Sequence, residues 1–191
     1  MEVLTPEEGD LAVTLARLAL EERIGRKRVK YPDLPRVFSE KRGVFVTLKK
    51  GGELRGCIGF PVPVYPLGEA IREAACAAAL EDPRFPPLHP SELPEIDVEV
   101  TVLSLPVPLP GAPAERPARV RVGTHGLIVR RGGRSGLLLP QVPLEWGWDA
   151  TEFLDHTCLK AGLPRGCWKD GETEVFTFEG QVFPEREKDR E

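Results

Sequence analysis

The alternation of apolar and polar positions along the chain predicts three helices. Thr5 has the hydroxyl of a helix N-cap, Pro6 follows it at the first helical position, and Glu8 stands at the third. Asp149 and Glu152 repeat the capping spacing later in the chain. Between them lies an alanine-rich segment whose small side chains allow close packing against a sheet. The predicted helices cover residues 5–25, 67–81 and 149–162.

Strands are predicted where β-branched and aromatic residues cluster, or where apolar and polar residues alternate. Two glycine pairs, Gly51–Gly52 and Gly132–Gly133, are tight-turn signals between such segments. The proline-rich residues 105–117 are expected to form an exposed loop. The predicted strands are residues 43–48, 53–60, 96–103, 119–122, 126–131, 137–139 and 173–183.

Helices mixed with hairpins favour an α+β fold in which helices pack on antiparallel sheets. The chain has 191 residues, a length that suits one domain or two tightly fused lobes. We expect a single domain over residues 1–184, followed by a loose, charged tail over residues 185–191.

The composition argues against nucleic-acid-binding, membrane and secreted proteins. The net charge is −4, from 26 basic and 30 acidic residues, which makes nucleic acid an unlikely partner. No apolar run approaches the ~18 residues of a membrane span, and the polar N-terminus is no signal peptide, so a cytoplasmic protein with no membrane partner is expected. Asn is absent and Met occurs once. This scarcity suggests a thermophilic source, although a GC-rich genome produces part of the same bias.

The densest chemical feature is the segment from Leu54 to Phe60. If it is a strand, alternation turns Leu54, Gly56 and Ile58 towards the core and Arg55, Cys57 and Gly59 to the other face. A guanidinium beside a thiol favours the thiolate, so Cys57 is a candidate nucleophile and Arg55 its activator. The two glycines, Gly56 and Gly59, permit close approach of a ligand or of another backbone. The alternative is a structural cysteine beside a glycine bulge and an ion-paired arginine.

Two further segments are candidates for the site. Asp82 and Arg84 follow the second helix, where they either bind a polar ligand or cap the helix and pair with each other. Gln141, Glu145 and Trp146 lie on a proline-framed loop that either lines a pocket or covers the core. Glu145 is a candidate general base provided that it is buried, because desolvation raises the pKa of a carboxyl group.

The remaining cysteines do not predict a metal site. His156 and Cys158 are two residues apart on a helix, so their side chains diverge by about 200° and cannot hold one ion together. Cys158 and Cys167 flank a turn, which permits a disulfide; a buried reduced pair is slightly favoured for a cytoplasmic protein. No motif identifies a cofactor.

The segment Leu-Arg-Gly-Cys-Ile-Gly at residues 54–59 resembles the signature of the AMMECR family. Further blocks of the family pattern follow in order, at residues 82–87, 126–129, 137–142, 145–148 and 160–164. The resemblance therefore spans nearly the whole chain. It implies a link to a metabolic or nucleic-acid modification pathway, because similar domains are joined to or encoded with Memo-like and radical-SAM proteins.

These observations lead to three functional hypotheses. The first is a thiol-dependent enzyme that uses Arg55 and Cys57, with Glu145 or His125 as the proton-transfer partner. The second is a non-catalytic adaptor whose groove, formed by the strand 54–60 and the loop 140–148, holds a small molecule or a protein segment. The predicted ligand contacts are Gly56, Gly59, Asp82, Arg84, Gln141 and Trp146. The third is a nucleic-acid-facing role for the basic residues 26–30, which the net charge opposes.

Overall fold

The computed structural model describes residues 3–186, which form two compact units. The first unit comprises residues up to Ser104 together with the segment from Gln181 onwards, and the second unit comprises Leu105–Gly180. Each unit contains a four-stranded sheet and packed helices, so the predicted α+β class is confirmed. No helix within residues 3–186 is long and apolar enough to cross a membrane.

The elements follow each other in a mixed order. The helices are α1 (Pro6–Arg23), α2 (Leu67–Leu80), α3 (Arg116–Arg119), α4 (Val142–Trp146) and α5 (Ala150–Lys160), with 3-10 turns at Arg36–Ser39, Pro90–Glu95, Pro113–Glu115 and Cys167–Lys169. The strands are β1 (Val44–Lys50), β2 (Glu53–Phe60), β3 (Ile96–Leu103), β4 (Val107–Pro108), β5 (Gly126–Arg131), β6 (Arg134–Leu138), β7 (Glu174–Phe178) and β8 (Gly180–Pro184). The sheet orders are β2-β1-β3-β8 and β4-β7-β5-β6.

In the first unit, α1 and α2 cover one face of the sheet. The predicted capping box of α1 is present, since the Thr5 hydroxyl accepts from the backbone of Glu8 and the Glu8 carboxylate accepts from the backbone of Thr5. Alanines such as Ala74 and Ala78 are fully buried on α2 and bring its backbone close to β2. A Cβ built at Gly56 lies 2.1 Å from the carbonyl oxygen of Ala78, so only glycine fits there.

A bulge in the β1–β2 hairpin changes which residues face the helices. Leu48 pairs with Gly56 and Lys49 pairs with Leu54, which leaves Arg55 as the extra residue. Because the bulge reverses the alternation at this point, Leu54 is exposed and does not face the core as predicted. Ile58, which pairs with the buried Val46, keeps its predicted side.

The start of the C-terminal tail is held in place, contrary to the prediction that residues after 184 are loose. The Glu185 carboxylate receives hydrogen bonds from Arg17 at 2.7 and 2.5 Å and from the backbone of Val98 at 3.0 Å. Arg17 also donates to the carbonyls of Leu93 and Ile96. Both charges of this buried pair are therefore satisfied. Residues 187–191 of the predicted tail lie outside the described residues.

The second unit corrects several strand predictions. Residues 119–122 do not form a strand, because Arg119 ends α3 and a turn follows it. This helical conformation is held by Arg116, whose buried guanidinium donates to the carbonyls of Trp168 and Thr173. The predicted 105–117 loop contains β4 and two short helical turns. The predicted strand 173–183 is interrupted at Glu179, and its two parts, β7 and β8, belong to different sheets.

Cys158 and Cys167 form a disulfide, so the reduced pair slightly favoured from the sequence is wrong. The turn after α5 returns the chain so that the two Cα atoms lie 6.0 Å apart, a separation a disulfide spans without strain. Asp155 holds the same turn by accepting from the backbone of Gly166 at 2.8 Å and from the Trp168 indole at 2.7 Å.

Removing the disulfide is expected to destabilise the protein. In the double variant Cys158→Ser/Cys167→Ser, the free energy of unfolding should fall by about 2.5 kcal/mol, because the unfolded chain regains the entropy of a loop of roughly ten residues. Urea denaturation measures the change. Added dithiothreitol should lower the midpoint of the wild type and leave that of the double variant unchanged; equal responses would contradict a native disulfide.

The Gly56→Ala substitution tests the contact between β2 and α2. We expect a loss of about 3 kcal/mol, since the new methyl group collides with the Ala78 carbonyl and forces the helix away from the strand. Gly171→Ala is the matched control, because a Cβ at Gly171 meets no atom within 4 Å. If urea denaturation gives both variants the same stability, the close packing is refuted.

Candidate functional site

Cys57 lies on β2 on the face of the sheet opposite to the helices. It pairs with Thr47 of β1, and the Thr47 hydroxyl donates to the Cys57 sulfur at 3.2 Å. The thiol is half-buried. The sequence did not suggest Thr47 as a site residue. A regular hairpin around the Gly51–Gly52 turn would pair Thr47 with Gly56. The bulge at Arg55 shifts the register by one residue, so Thr47 pairs with Cys57 instead.

Asp82 anchors the backbone of this cysteine. Its side chain is only 2% exposed, and its carboxylate accepts from the Cys57 backbone N–H at 2.8 Å. Arg84 donates to the same carboxylate from Nε at 3.0 Å and from Nη2 at 2.7 Å. These hydrogen bonds outweigh the effect of burial and hold the pKa of Asp82 well below its usual range. Asp82 is therefore an anion at neutral pH that fixes both Cys57 and Arg84.

Arg84 is the guanidinium in contact with Cys57. Its Nη2 donates to the Cys57 carbonyl at 3.4 Å, and its side chain is 54% exposed. The hydrogen bonds to Asp82 raise its pKa further above the usual arginine value. Its remaining nitrogen, Nη1, has no partner within the described part of the chain. Arg84 thus presents an unused donor to solvent next to the Cys57 backbone.

Arg55 does not serve as the cation expected beside the thiol. Its guanidinium forms a two-point ion pair with Glu92 at 3.1 Å for each bond and donates to the Pro86 carbonyl at 3.0 Å. The same hydrogen bonds, helped by the His89 backbone, lower the pKa of Glu92 to about 2. Arg55 therefore tethers the 86–92 loop to β2, and Glu92 neutralises its charge. Glu92 is a residue that the sequence did not suggest.

The two signature glycines allow protein groups, rather than open space, to approach the strand. Gly56 lies against the α2 backbone, as described above. A Cβ built at Gly59 would lie 2.2 Å from the Val44 carbonyl oxygen and 2.5 Å from the ring of Phe45. The Phe45 ring therefore occupies the space above Gly59, its cross-strand partner. Bulky substitution at either glycine would disturb packing as well as any ligand.

Gln141, Glu145 and Trp146 lie together in the second unit, on and before α4. The predicted loop is thus a short helix, with Gln141 at its N-cap position. Glu145 is exposed, so the burial on which its role as a general base depends is absent. Trp146 is 70% exposed and stacks on Trp148, with 6.0 Å between ring centroids. The structure brings Arg55, Cys57, Asp82 and Arg84 together in the first unit.

Metal binding has no support among residues 3–186, where no three His, Cys, Asp or Glu side chains are grouped to hold an ion. Cys158 is consumed by its disulfide, and His156 stacks on Trp148 with 3.7 Å between ring centroids.

Comparison with known proteins shows one family over most of the chain. The AMMECR1 family model matches residues 13–183. A protein of Methanothermobacter thermautotrophicus is 57% identical over 185 residues, covering 95% of this chain and 96% of the relative. A protein of Thermococcus gammatolerans is 55% identical over 186 residues, covering 94% and 91%. Both relatives come from thermophilic archaea, in agreement with the thermophilic composition.

A solved structure has the same fold. The crystal structure of the uncharacterized protein PH0010 from Pyrococcus horikoshii is similar with a TM-score of 0.77 and 49% sequence identity, over 97% of this chain and 95% of that one. The resemblance drawn from the Leu-Arg-Gly-Cys-Ile-Gly signature is therefore confirmed along with the fold class.

The Arg55–Glu92 pair is expected to make stability depend on acid pH. The pKa of Glu92 falls from 4.5 to about 2 on folding, so its contribution is fully present above pH 4.5 and is lost as the pH falls towards 2. Glu92→Gln should lose on the order of 2 kcal/mol at pH 7 and flatten the decline below pH 5. Urea denaturation at pH 7, 4 and 3 measures both effects.

Glu95→Gln is the matched control, because Glu95 lies on the same 3-10 turn but is 61% exposed and pairs only with Lys50, at 3.5 Å. It should follow the wild-type profile within about 0.5 kcal/mol. Parallel pH profiles for Glu92→Gln and the wild type would show that the Arg55 ion pair contributes nothing to folding.

Proposed function

The chain belongs to the AMMECR1 family, and we propose that it is a thiol-dependent enzyme whose nucleophile is Cys57 and whose substrate carries an anionic group. The proposal goes beyond the family assignment, which is established by the sequence match and carries no reaction with it. It is drawn from the contacts that surround Cys57 in the first unit.

The single observation that carries the proposal is the hydrogen bond from the Thr47 hydroxyl to the Cys57 sulfur. The hydrogen bond orients the Cys57 side chain, which is only half-buried and so stays open to an electrophile. The other free thiol, Cys76, offers a contrast, because burial raises its pKa and favours the neutral form. Asp82 fixes the Cys57 backbone through a 2.8 Å hydrogen bond, so the position of the sulfur is defined before any ligand arrives.

The anionic substrate follows from Arg84. Its Nη1 group is free among the described contacts, and the ion pair with Asp82 holds the guanidinium in a fixed orientation. A carboxylate or phosphate group bound there would lie next to Cys57. In the reaction, the Cys57 sulfur bonds to an electrophilic carbon of the substrate, the bond to the leaving group breaks, and the leaving group departs with the electron pair and the thiol proton. Water then hydrolyses the covalent intermediate and regenerates the thiol.

Arg55, Glu145 and the predicted ligand contacts have different standing in this proposal. Arg55, engaged by Glu92, positions β2 rather than activating the thiol. Glu145 is given no step in this reaction, because it lacks the burial on which its predicted role as a general base depends. The ligand contacts predicted for Gly56, Gly59, Gln141 and Trp146 remain predictions. We place the enzyme in the cytoplasm, in a metabolic or nucleic-acid modification pathway with Memo-like or radical-SAM proteins. A cytoplasmic disulfide suits this placement, since intracellular disulfides are frequent in hyperthermophilic archaea.

A second candidate function is a non-catalytic binding module. It is favoured by the full engagement of Asp82, whose oxygens accept from Cys57 and Arg84 and so are committed to structure. Among the described residues, the Cys57 sulfur has a hydroxyl donor but no carboxylate or imidazole within hydrogen-bond distance to act as its base. The two candidates differ in what they require of Cys57, because binding by Arg84 needs no thiol.

The pH-dependent rate of alkylation by iodoacetamide tests the enzyme proposal. Followed by peptide mass spectrometry at pH 7.5, Cys57 should react about tenfold faster than Cys76, because burial raises the pKa of the Cys76 thiol and keeps it neutral. Thr47→Val, which removes the donor and keeps the shape, should slow Cys57 several-fold. Thr101→Val is the matched control on the neighbouring strand and should leave the rate unchanged.

The result that would overturn the enzyme is a Cys57 that stays unmodified until the protein is unfolded in urea. In that case binding of inorganic phosphate or acetate, measured by calorimetry, should still be weakened by Arg84→Gln and unaffected by Cys57→Ser. That pattern would establish the binding module in place of the enzyme.

A further inference from the structure

An aromatic column ends at the surface of the second unit. Trp146 stacks on Trp148 with an interplanar angle of 16°, and Trp148 stacks on His156 with an interplanar angle of 4°. Trp146 is the outermost ring and keeps most of its surface in water, as noted above. Leu144 on the same short helix is 61% exposed as well, so α4 leaves two large apolar side chains in water.

The backbone holds the column in place. Gly147 ends α4 with φ of 66°, in the left-handed region that favours glycine, and the Trp148 backbone N–H then bonds to the Pro143 carbonyl at 2.9 Å. This reversal allows the rings at positions 146 and 148 to stack on the same side. At the inner end, the Arg165 guanidinium lies 3.4 Å from Nε2 of His156. The outer indole face is thus presented by rigid neighbours, which lowers the entropy lost when a ligand binds.

The segment that carries the three rings is acidic, and the Arg165 guanidinium meets the column at its inner end, next to His156. Residues 135–159 contain no Lys or Arg, and their four carboxylates give the segment a formal charge of −4: Glu145, Asp149, Glu152 and Asp155. The Glu145 carboxylate, next to Trp146, is exposed, and no hydrogen bond or ion pair engages it within residues 3–186. A phosphate-bearing ligand would be repelled by these carboxylates, whereas a cation gains from them and from the electron-rich indole face.

We propose that Trp146 and Glu145 form a recognition site for an organic cation, either a quaternary ammonium group or the guanidinium of an arginine side chain. The cation stacks on the free face of Trp146, and the Glu145 carboxylate adds a charge partner at the same end of the column. The cation site shares no residue with the cluster around Cys57.

Titrations of the full chain, followed by NMR, test this site. Only three tryptophans are present, so their indole N–H signals are separable. Choline and N-acetyl-arginine amide should shift the Trp146 signal, whereas their uncharged analogues, 3,3-dimethylbutan-1-ol and N-acetyl-citrulline amide, should not. The buried Trp168, whose indole is bonded to Asp155, is the internal reference and should not move. The tighter of the two cations identifies the source, a small quaternary amine or a protein arginine.

Variants separate the site from general surface charge. Trp146→Leu should weaken binding about tenfold and Glu145→Gln several-fold; both residues are exposed, so the fold should persist. Trp146→Phe, which keeps a flat ring, should bind at an intermediate level. Glu174→Gln, an exposed carboxylate on β7, is the control and should bind as the wild type. Absence of a shift up to ~50 mM cation, or tighter binding of adenosine monophosphate than of either cation, would overturn the proposal.

Discussion

The close contact between α2 and β2 is the constraint on which the candidate site depends. Because Gly56 lacks a side chain, the Ala78 carbonyl approaches the strand, and the end of α2 is fixed relative to the hairpin. Asp82 follows two residues after that helix and reaches the Cys57 backbone from there. A larger residue at position 56 would therefore move the carboxylate that positions both the cysteine and Arg84.

Two arginines of the first unit have only a structural role, whereas a third keeps a hydrogen-bond donor that can bind a ligand. Arg17 is buried with Glu185, and Arg55 is bound to Glu92, so both guanidiniums are committed to holding segments together. Arg84 is held by Asp82 on one edge only and is half exposed. A bidentate pair of this kind orients a guanidinium without using all its donors, so the remaining donor can bind an anion at little cost in entropy.

The second unit obtains its rigidity from different sources. Its sheet has a two-residue edge strand, β4, and its core is supported by the disulfide, by Asp155 and by the buried guanidinium of Arg116. Arg116 makes its bonds to carbonyl oxygens, and burial lowers its pKa. These links order the turn after α5, against which the aromatic column is supported through His156 and Arg165.

The sequence by itself determined the features that depend on neighbours in the chain. The capping boxes of α1 and α5, the glycine turns, the alternation of β3 and the family signature are all local patterns, and they specified the α+β class. The same patterns drew attention to Cys57, Asp82 and Arg84 as candidates for one site. Their hydrogen bonds join residues up to 27 positions apart, and the sequence suggested only that they lie near one another.

Only the tertiary structure decided which residues meet. The bulge at Arg55 shifts the hairpin register by one residue, which turns Leu54 outwards and brings Thr47 to Cys57. The pairing of Arg55 with Glu92 and the bond between Cys158 and Cys167 likewise depend on how loops return to the body of each unit. Periodicity cannot reveal these contacts, because a bulge does not interrupt the pattern of residue types along a strand, and a loop closure joins residues that are far apart in the chain.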